Sequence, residues 1–346
     1  MGDNLGNGVV PDFFELRPDE QLSRLETAAR RTLAHWNLEG ASLDLIKFRE
    51  NAVFRVDNNG FKAALRLHRH GYHSDDELRS ELQWMQALLT ANVMVPTLIP
   101  TNSGELFLKH SADGLPGELQ IDLFEWINGE QLGSVEEGVA NEAEIGRIYM
   151  ALGELAARIH NQAANWKLPH GFVRHAWDAH GLVGEHPIFG EFWKLESASN
   201  AEVALLKRGR DRVFNELSHT KKSSDTYSMI HADFAPENIL VEDDKIHLID
   251  FDDAGFGWHL FELATSLYFI QDEPYFDRAK EAIVKGYRVH RQLSDEQLEL
   301  LPLHLLARGF TYISWAHTRQ ETETAQELTP TILASVCELA ENYLSN

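Results

Sequence analysis

Apolar positions along the chain follow two different periods, and the change between them divides it. Across residues 18–36, Leu22, Leu25, Ala29, Leu33 and Trp36 recur at steps of three and four, the spacing that lines one face of an α-helix. The pattern then shortens. Residues 43–48, 52–56 and 61–67 are brief runs rich in β-branched and aromatic side chains, with Asp57-Asn58-Asn59-Gly60 between the last two. Asn and Gly accept the positive φ of a tight reversal, so these runs are expected to be strands, the last two joined as a hairpin. Ser74 followed by Glu77 is a capping box that opens a helix running to about Leu89. Val93-Met94-Val95-Pro96 closes that unit, and residues 106–109 and 119–125 supply two more strands. Residues 43–125 are therefore expected to form a small antiparallel sheet with one helix packed on it.

After Gly129 the period is mostly helical, over residues 142–161, 197–217, 260–270, 274–289, 294–319 and 330–344. One hairpin interrupts these helices, 239–242 and 245–249 about Asp243-Asp244. No internal repeat or low-complexity linker is visible. The expected fold class is α+β: an N-terminal lobe, residues 1–125, built on the antiparallel sheet, and after a short hinge a larger, mainly helical C-terminal lobe, residues 126–346. A length of 346 residues agrees, being too long for one ordinary core.

Composition removes several functions. A 43% hydrophobic and 25% charged chain is that of a folded protein. A formal charge of −23 opposes nucleic acid and anionic membrane surfaces as partners. The one cysteine, Cys337, excludes an internal disulfide and lies in an apolar helical run. Residues 1–10 are polar and glycine-rich, without the apolar run of a signal peptide. Nor does any stretch approach the ~18 uninterrupted apolar residues of a membrane span. A cytoplasmic protein with no membrane or nucleic-acid partner is expected; nothing in the sequence bears on oligomeric state.

Candidate chemistry is concentrated at the late hairpin. Asn238, in His231-Ala232-Asp233-Phe234-Ala235-Pro236-Glu237-Asn238, immediately precedes the first strand, and Asp250 immediately follows the second. Antiparallel pairing brings those two ends together, with Asp233 one short loop away. An amide oxygen and two carboxylates suit a hard cation such as Mg²⁺, which takes a few protein oxygens and completes its shell with water and substrate phosphates. An isolated H-x-D occurs often by chance; H-x-D-x-x-x-x-N followed by strand, turn, strand and Asp is far more specific. None of the 17 histidines is expected to bind metal.

The run HADFAPENIL followed by HLIDFDD resembles the aminoglycoside phosphotransferase superfamily, which includes choline kinases, the second type of homoserine kinase and the bacterial stress-response kinases. The resemblance covers roughly residues 43–268. It implies a protein-kinase-like two-lobe fold and an ATP- and Mg²⁺-dependent phosphotransferase. In that reading Asp233 is the catalytic base, Asn238 and Asp250 hold Mg²⁺, and His231 is a structural residue of the catalytic loop. Arg66, in Ala63-Ala64-Leu65-Arg66-Leu67, falls where kinase-like folds more often carry a phosphate-contacting lysine, and Glu81 is its helix partner. Residues Glu125, Trp126 and Ile127 match the hinge whose backbone binds adenine. The first strand-to-strand loop has no G-x-G-x-x-G, leaving Asn51 or backbone amides to face the phosphates. Glu262, in Phe261-Glu262-Leu263-Ala264, stands where the family shows Asp-Leu-Ala, in a position that braces the catalytic loop.

Only residues 251–259 separate the metal aspartate from the next helix, with no long activation segment and no A-P-E-like motif to dock a peptide. A small hydroxyl-bearing acceptor is expected: an amino alcohol or homoserine-like molecule first, from the Leu-Arg-Leu-His and Asp-Phe-Asp-Asp segments, with an aminoglycoside or choline as the other options. Its pocket is expected among the 141–161 helix, the 166–194 loop and the C-terminal helices, with Trp166, Trp177, Trp193, Tyr312 and Trp315 as candidate lining and Glu321-Thr322-Glu323 as an attraction for an amine. The alternatives are a Ser/Thr protein kinase of the stress-response type and a nucleotide-binding pseudokinase. The intact Asp233, Asn238 and Asp250 oppose the second.

Overall fold

In the computed structural model the period-two segments pair as an antiparallel sheet. The structure describes residues 13–48, 51–134, 138–139, 142–242, 245–320 and 322–345. Residues 1–10, Arg49 and Glu50 of the first loop, Asn141, the turn Asp243-Asp244 and Glu321, all read above, lie outside them. The chain divides into two units, Met1–Leu89 with Pro96–Asn128, and Thr90–Val95 with Gly129–Asn346. The division falls three residues past the expected boundary, and the short segment Thr90–Val95 goes with the second unit, where Met94 O accepts a hydrogen bond from Leu248 N–H.

The first unit begins with helix α1 (Pro18–Thr32) and strands β1 (Ser42–Phe48), β2 (Ala52–Asn58) and β3 (Phe61–Leu67), followed by helix α2 (Asp75–Thr90), whose last residue is counted with the second unit, and strands β4 (Leu108–His110) and β5 (Leu119–Glu125). The strands lie in the order β1-β2-β3-β5-β4. Asn59 and Gly60 turn the β2–β3 hairpin at φ 53° and 90°, the two positive values a two-residue reversal needs. Strand alternation then sorts the side chains. Ala52, Phe54 and Val56, Ala63, Leu65 and Leu67, and Leu119, Ile121 and Leu123 form one apolar core with Leu25, Ala28 and Ala29 of α1. Helix α1 thus covers a sheet face of its own, beyond the single packed helix expected. Arg66, Gln120, Asp122 and Phe124 alternate to the opposite face, and α2 brings Glu81 to it. The Ser74–Glu77 capping box is present, with Ser74 N–H donating to Glu77 Oε2 and Glu77 N–H to Ser74 Oγ.

The second unit starts with short strands β6 (Glu130–Gln131), β7 (Gly133–Ser134) and β8 (Gly138–Val139) and the long helix α3 (Ile145–Asn165). Next come β9 (Ala176–Trp177), α4 (Ala179–Val183), α5 (Asn200–His219), β10 (Tyr227–Ile230), β11 (Ile239–Glu242), β12 (Lys245–Leu248) and β13 (Gly255–Trp258). The chain ends in helices α6 (His259–Tyr268), α7 (Phe276–His290), α8 (Asp295–Leu298), α9 (Leu301–Thr318) and α10 (Glu323–Ser345). Helices α3 and α7 meet backbone to backbone. A Cβ on Gly153 would stand 2.0 Å from Ile283 O, and one on Gly286 would stand 1.9 Å from Met150 O, so only glycine permits the approach. Two helical expectations change. Residues 294–319 break into α8 and α9, because Pro302 lacks an N–H and is suited to the first turn of a new helix. Pro330, expected to open the last helix, lies inside α10, where Thr329 Oγ1 donates to Ala325 O one turn back.

A three-stranded sheet in the order β10-β13-β9 was not legible in the sequence. Its segments are two to four residues long, too short to show a period. It decides where the site forms. β11 pairs with β12 from Ile239↔Leu248, and β10 pairs with β13 up to Ile230↔Gly255. Loops 231–238 and 249–254 both run from one of these pairings to the other, so they are held side by side.

Candidate active site

The hairpin end delivers its two oxygen donors together. Asn238 O accepts from Ile249 N–H at 2.9 Å, continuing the β11–β12 ladder by one residue, and Asp250 follows at once. Asp250 has φ 64° and Ala232 φ 66°, left-handed values that Asp tolerates better than Ala. Asn238 Nδ2 donates to Asp233 O at 3.1 Å and to Asp233 Oδ2 at 2.5 Å. The three residues singled out in the motif are therefore gathered by two turns of loop.

What holds these loops is a set of side chain to main chain bonds. Glu262, in α6, accepts from His231 N–H at 2.8 Å and from Ala232 N–H at 2.7 Å, one with each carboxylate oxygen. It is fully buried; burial pushes its carboxyl up, while His231 and the two amides pull the other way. The longer acid in this position does brace the loop. His231 Nδ1 accepts from Asp233 N–H, which puts the ring proton on Nε2, the atom that meets Ile249 O at 2.9 Å. A neutral histidine so occupied on both nitrogens ties the two loops together and has no free edge for proton transfer. Trp177 Nε1 donates to Asp253 O at 2.8 Å, and Arg174 donates to the main-chain oxygens of Asp252 and Ala254.

Four aspartates collect here. The Asp253 carboxyl is pushed well above the usual range, first by burial and then by repulsion from Asp233, Asp252 and Asp250. Among the described residues no group of three or more His, Cys, Asp or Glu side chains is arranged to hold a metal by itself. The donor set fits a different kind of site. Asn238 has its Nδ2 engaged, so its Oδ1 is the end left to act as a ligand, and with Asp250 it gives two hard oxygens inside an excess of negative charge. That suits Mg²⁺, which keeps several waters and takes phosphate oxygens as well.

A second arginine reaches a carboxylate of this acid cluster. Arg308 of α9 donates from Nη2 to Asp233 Oδ1 at 2.6 Å and to Tyr312 Oη at 2.8 Å, and from Nη1 to Ala232 O at 3.0 Å. Burial works against its charge, but Tyr312 and Asp233 more than offset that and hold the guanidinium protonated. The sequence reading missed Arg308. The signal was present: it is the sole Arg, Lys, Asp or Glu in α9, and a lone charge in an apolar helix is buried only when paired.

In the first unit the expected pair is present, with Arg66 Nη2 donating to Glu81 Oε1 at 2.8 Å. A second acid was missed. Asp122, directly opposite Arg66 in the β3–β5 register, takes Nε at 3.1 Å and Nη2 at 2.7 Å in a bidentate fork, and His68 Nε2 meets its Oδ2 at 3.0 Å. Burial acts to raise Asp122, but Arg66 and then His68 overcome it and hold the carboxyl below its usual value. Asn51 does not stand open as expected. It is buried, and its Oδ1 accepts from Arg69 N–H at 3.1 Å, bracing the loop. Of the three hinge amides, Glu125 N–H donates to Thr97 O and Trp126 N–H to Lys62 O, so both are spent within the unit.

The aromatic candidates separate. Trp177 is buried and Trp193 packs under Arg210 at 4.4 Å. Trp166 edges onto Phe172, and Trp315 lies 5.6 Å from the Arg319 guanidinium. Trp177 holds the Asp253 main chain, and Tyr312 is joined to the acid cluster through Arg308, with Phe269 at 4.7 Å and Tyr268 at 4.9 Å from its ring. Cys337 is half-buried in α10, its thiol pushed up to about 11 by burial and by Glu202 and Glu341, which leaves it an unreactive thiol.

Known proteins share this architecture. A family model, the APH phosphotransferase enzyme family, matches residues 47–296. Amicoumacin kinase of Bacillus subtilis (strain 168) is 25% identical over 316 residues, covering 88% of this chain and 89% of that protein. The structure of a microcompartment-associated aminopropanol kinase superposes with TM-score 0.82 at 30% identity, over 92% of this chain and 98% of that one. An amicoumacin kinase solved with AMP-PNP, Ca²⁺ and Ami shares the fold, with TM-score 0.75 at 19% identity over 93% of this chain and 96% of that one. Among the described residues no helix is long and apolar enough to cross a membrane. The chain belongs to the APH phosphotransferase enzyme family and is a small-molecule kinase.

Proposed function

We propose that the protein transfers the γ-phosphoryl group of ATP to the hydroxyl of a small amino alcohol, with Asp233 as base. The observation that carries this is the Asp233–Asn238 contact, held at the end of the β11–β12 ladder beside Asp250. The acceptor oxygen bonds to the γ-phosphorus, the bond from that phosphorus to the β,γ-bridging oxygen breaks, the hydroxyl proton passes to Asp233, and ADP leaves. Positioning and charge neutralisation supply most of the catalysis in such a step. Asn238 and Asp250 are assigned to Mg²⁺, which when bound neutralises charge on the phosphates. Arg66, set by Glu81 and Asp122, is assigned to the nucleotide phosphates, and the Ile127 N–H with the Glu125 carbonyl to the adenine edge. Demand for ATP places such an enzyme in the cytoplasm.

Support for an amino alcohol comes from two sides. The aminopropanol kinase is 30% identical over nearly the whole chain. Tyr312 shares Arg308 Nη2 with Asp233, and Phe269 lies 4.7 Å from the Tyr312 ring; an ammonium group is attracted to aromatic faces and to nearby carboxylates. The test is ³¹P detection of a phosphate monoester after incubation with Mg²⁺–ATP and 1-amino-2-propanol, choline, homoserine or amicoumacin in turn. Product from 1-amino-2-propanol, abolished by EDTA, is expected. Product from amicoumacin alone would overturn the acceptor class, and none from any acceptor would overturn the reaction.

A further inference from the structure

Asp233 stands on a loop with its side chain 24% exposed, where a carboxylate rotates freely unless both oxygens are held. Here they are: Oδ1 by Arg308 at 2.6 Å and Oδ2 by Asn238 at 2.5 Å. Arg308 is itself held through both Nη atoms. Its side chain is 3% exposed, its Nη1 is bonded to Ala232 O, its Nη2 is shared with Tyr312 Oη, and its guanidinium lies 4.3 Å from the centre of the Tyr312 ring. Around it α9 presents Leu305, Leu306, Ala307 and Phe310, all buried. Placing a guanidinium in that setting costs desolvation that a single ion pair with a part-exposed acid does not recover as net stability. Fixing a base within a fraction of an ångström of its working position, by contrast, has a large effect on rate.

We propose that Arg308 is the positioning residue of the catalytic carboxylate, clamping Asp233 Oδ1 from the helix behind the loop while Tyr312 sets the guanidinium. A carboxylate offers about four lone-pair sites. Arg308 and Asn238 take one on each oxygen, and a site on each remains for the acceptor hydroxyl. The fork does two jobs that lysine cannot do together, holding the Ala232 carbonyl with one nitrogen and the carboxylate with another. Through Ala232 it also opposes Glu262: the main chain of this one residue, at φ 66°, donates to Glu262 and accepts from Arg308. The strained turn that presents Asp233 is thereby gripped from both sides.

This inference rests on Asp233 being the base, and the experiment separates the two. ADP release is followed with 1-amino-2-propanol and with water as acceptors, for the unaltered chain and for Asp233→Asn, Arg308→Gln, Arg308→Lys, Arg308→Ala and Tyr312→Phe. Each variant is first checked by thermal melting with and without Mg²⁺–ATP. The expected result for Arg308→Gln is a kcat lower by about 10²-fold, the size of a small misplacement of a reacting group, with the KM for ATP little changed. Arg308→Lys should recover only part of that loss, and Arg308→Ala should regain rate when millimolar guanidinium is added. A chain without activity towards either acceptor, or an active Asp233→Asn, overturns the reading of the base. An active chain, a dead Asp233→Asn and a wild-type kcat in Arg308→Gln overturn the clamp alone. If Arg308→Gln does not fold, Tyr312→Phe and Arg308→Lys decide, and wild-type kcat in both removes the assignment.

Discussion

Each unit carries a buried arginine bonded to an acid, and the two are built by opposite means. In the first unit Arg66, Asp122 and Glu81 stand on β3, β5 and α2. Sheet register alone sets Arg66 against Asp122, and strand alternation turns both away from the α1 core. In the second unit Asp233, Asn238 and Asp250 stand on loops, two of whose residues have left-handed φ. The β11–β12 ladder reaches only its own end, where Asn238 O meets Ile249 N–H, and does not run on through the loops. They are held by side chains from elsewhere: Glu262 from α6, Arg308 from α9, Trp177 from β9 and Arg174 from the segment before it. A site on regular structure inherits its precision from the backbone. A site on loops has to import it, and the imported residues come from far along the chain.

The contrast can be broken at its strongest point by Asp233→Asn. Removing the base should lower kcat by about 10²- to 10⁴-fold, with a lower melting temperature as well, since the amide leaves the buried Arg308 guanidinium without its anionic partner. A variant that keeps its rate would end the catalytic assignment. Next in size is Asp122→Ala. It takes the bidentate carboxylate away from the buried Arg66, and losing one partner of a buried pair costs about 3–5 kcal/mol, read in urea unfolding. A loss below about 1 kcal/mol would mean the cluster is more solvated than its 8% and 0% side-chain exposures indicate.

Glu262→Gln sharpens the comparison on the loop side. Both Glu262 oxygens accept an amide, and glutamine keeps one acceptor and turns an NH₂ toward the other N–H. A kcat lower by about 10-fold is expected from disturbed positioning, with destabilisation of about 1–3 kcal/mol for the unpaired buried amide. The mildest effect is a pH response of the buried histidines. Burial lowers His304 to about 3 and holds His160 and His259, stacked at 4.2 Å, well below the ordinary histidine value. A depressed native pKa means that the unfolded chain binds protons first, so stability is intact above about pH 6.5 and falls as the pH drops toward the native value. Between pH 7 and 5.5 the stability of the unaltered chain relative to His304→Gln should decline by about 1 kcal/mol, and a constant difference would show that His304 titrates in the folded protein as it does in the unfolded chain.

How much of this was legible follows from the same contrast. The Asn59-Gly60 turn, the Ser74–Glu77 cap and the strands of the first sheet are local events, written in neighbouring residues. So was the meeting of Asn238 with Asp250, because a hairpin closes its own ends. Arg66 with Glu81 came from resemblance, and the structure added Asp122, whose place is set by the register of two strands more than fifty residues apart. Asn51, read as a candidate for the phosphates, is buried with its Oδ1 on the Arg69 N–H: a polar side chain under a loop satisfies a nearby backbone donor. Two hinge amides were likewise already engaged within their own unit.

By itself the sequence determined the order of elements, the sheet-then-helices arrangement, and a motif dense enough in oxygen ligands to name the chemistry of phosphoryl transfer. These depend on periodicity and on contacts a few residues apart. Tertiary structure alone decided that α1 backs the sheet, that β10 and β13 pin the two loops together, and that a lone arginine in an apolar helix reaches the proposed base. Burial and long-range pairing set those features, and neither is encoded in any single stretch of chain.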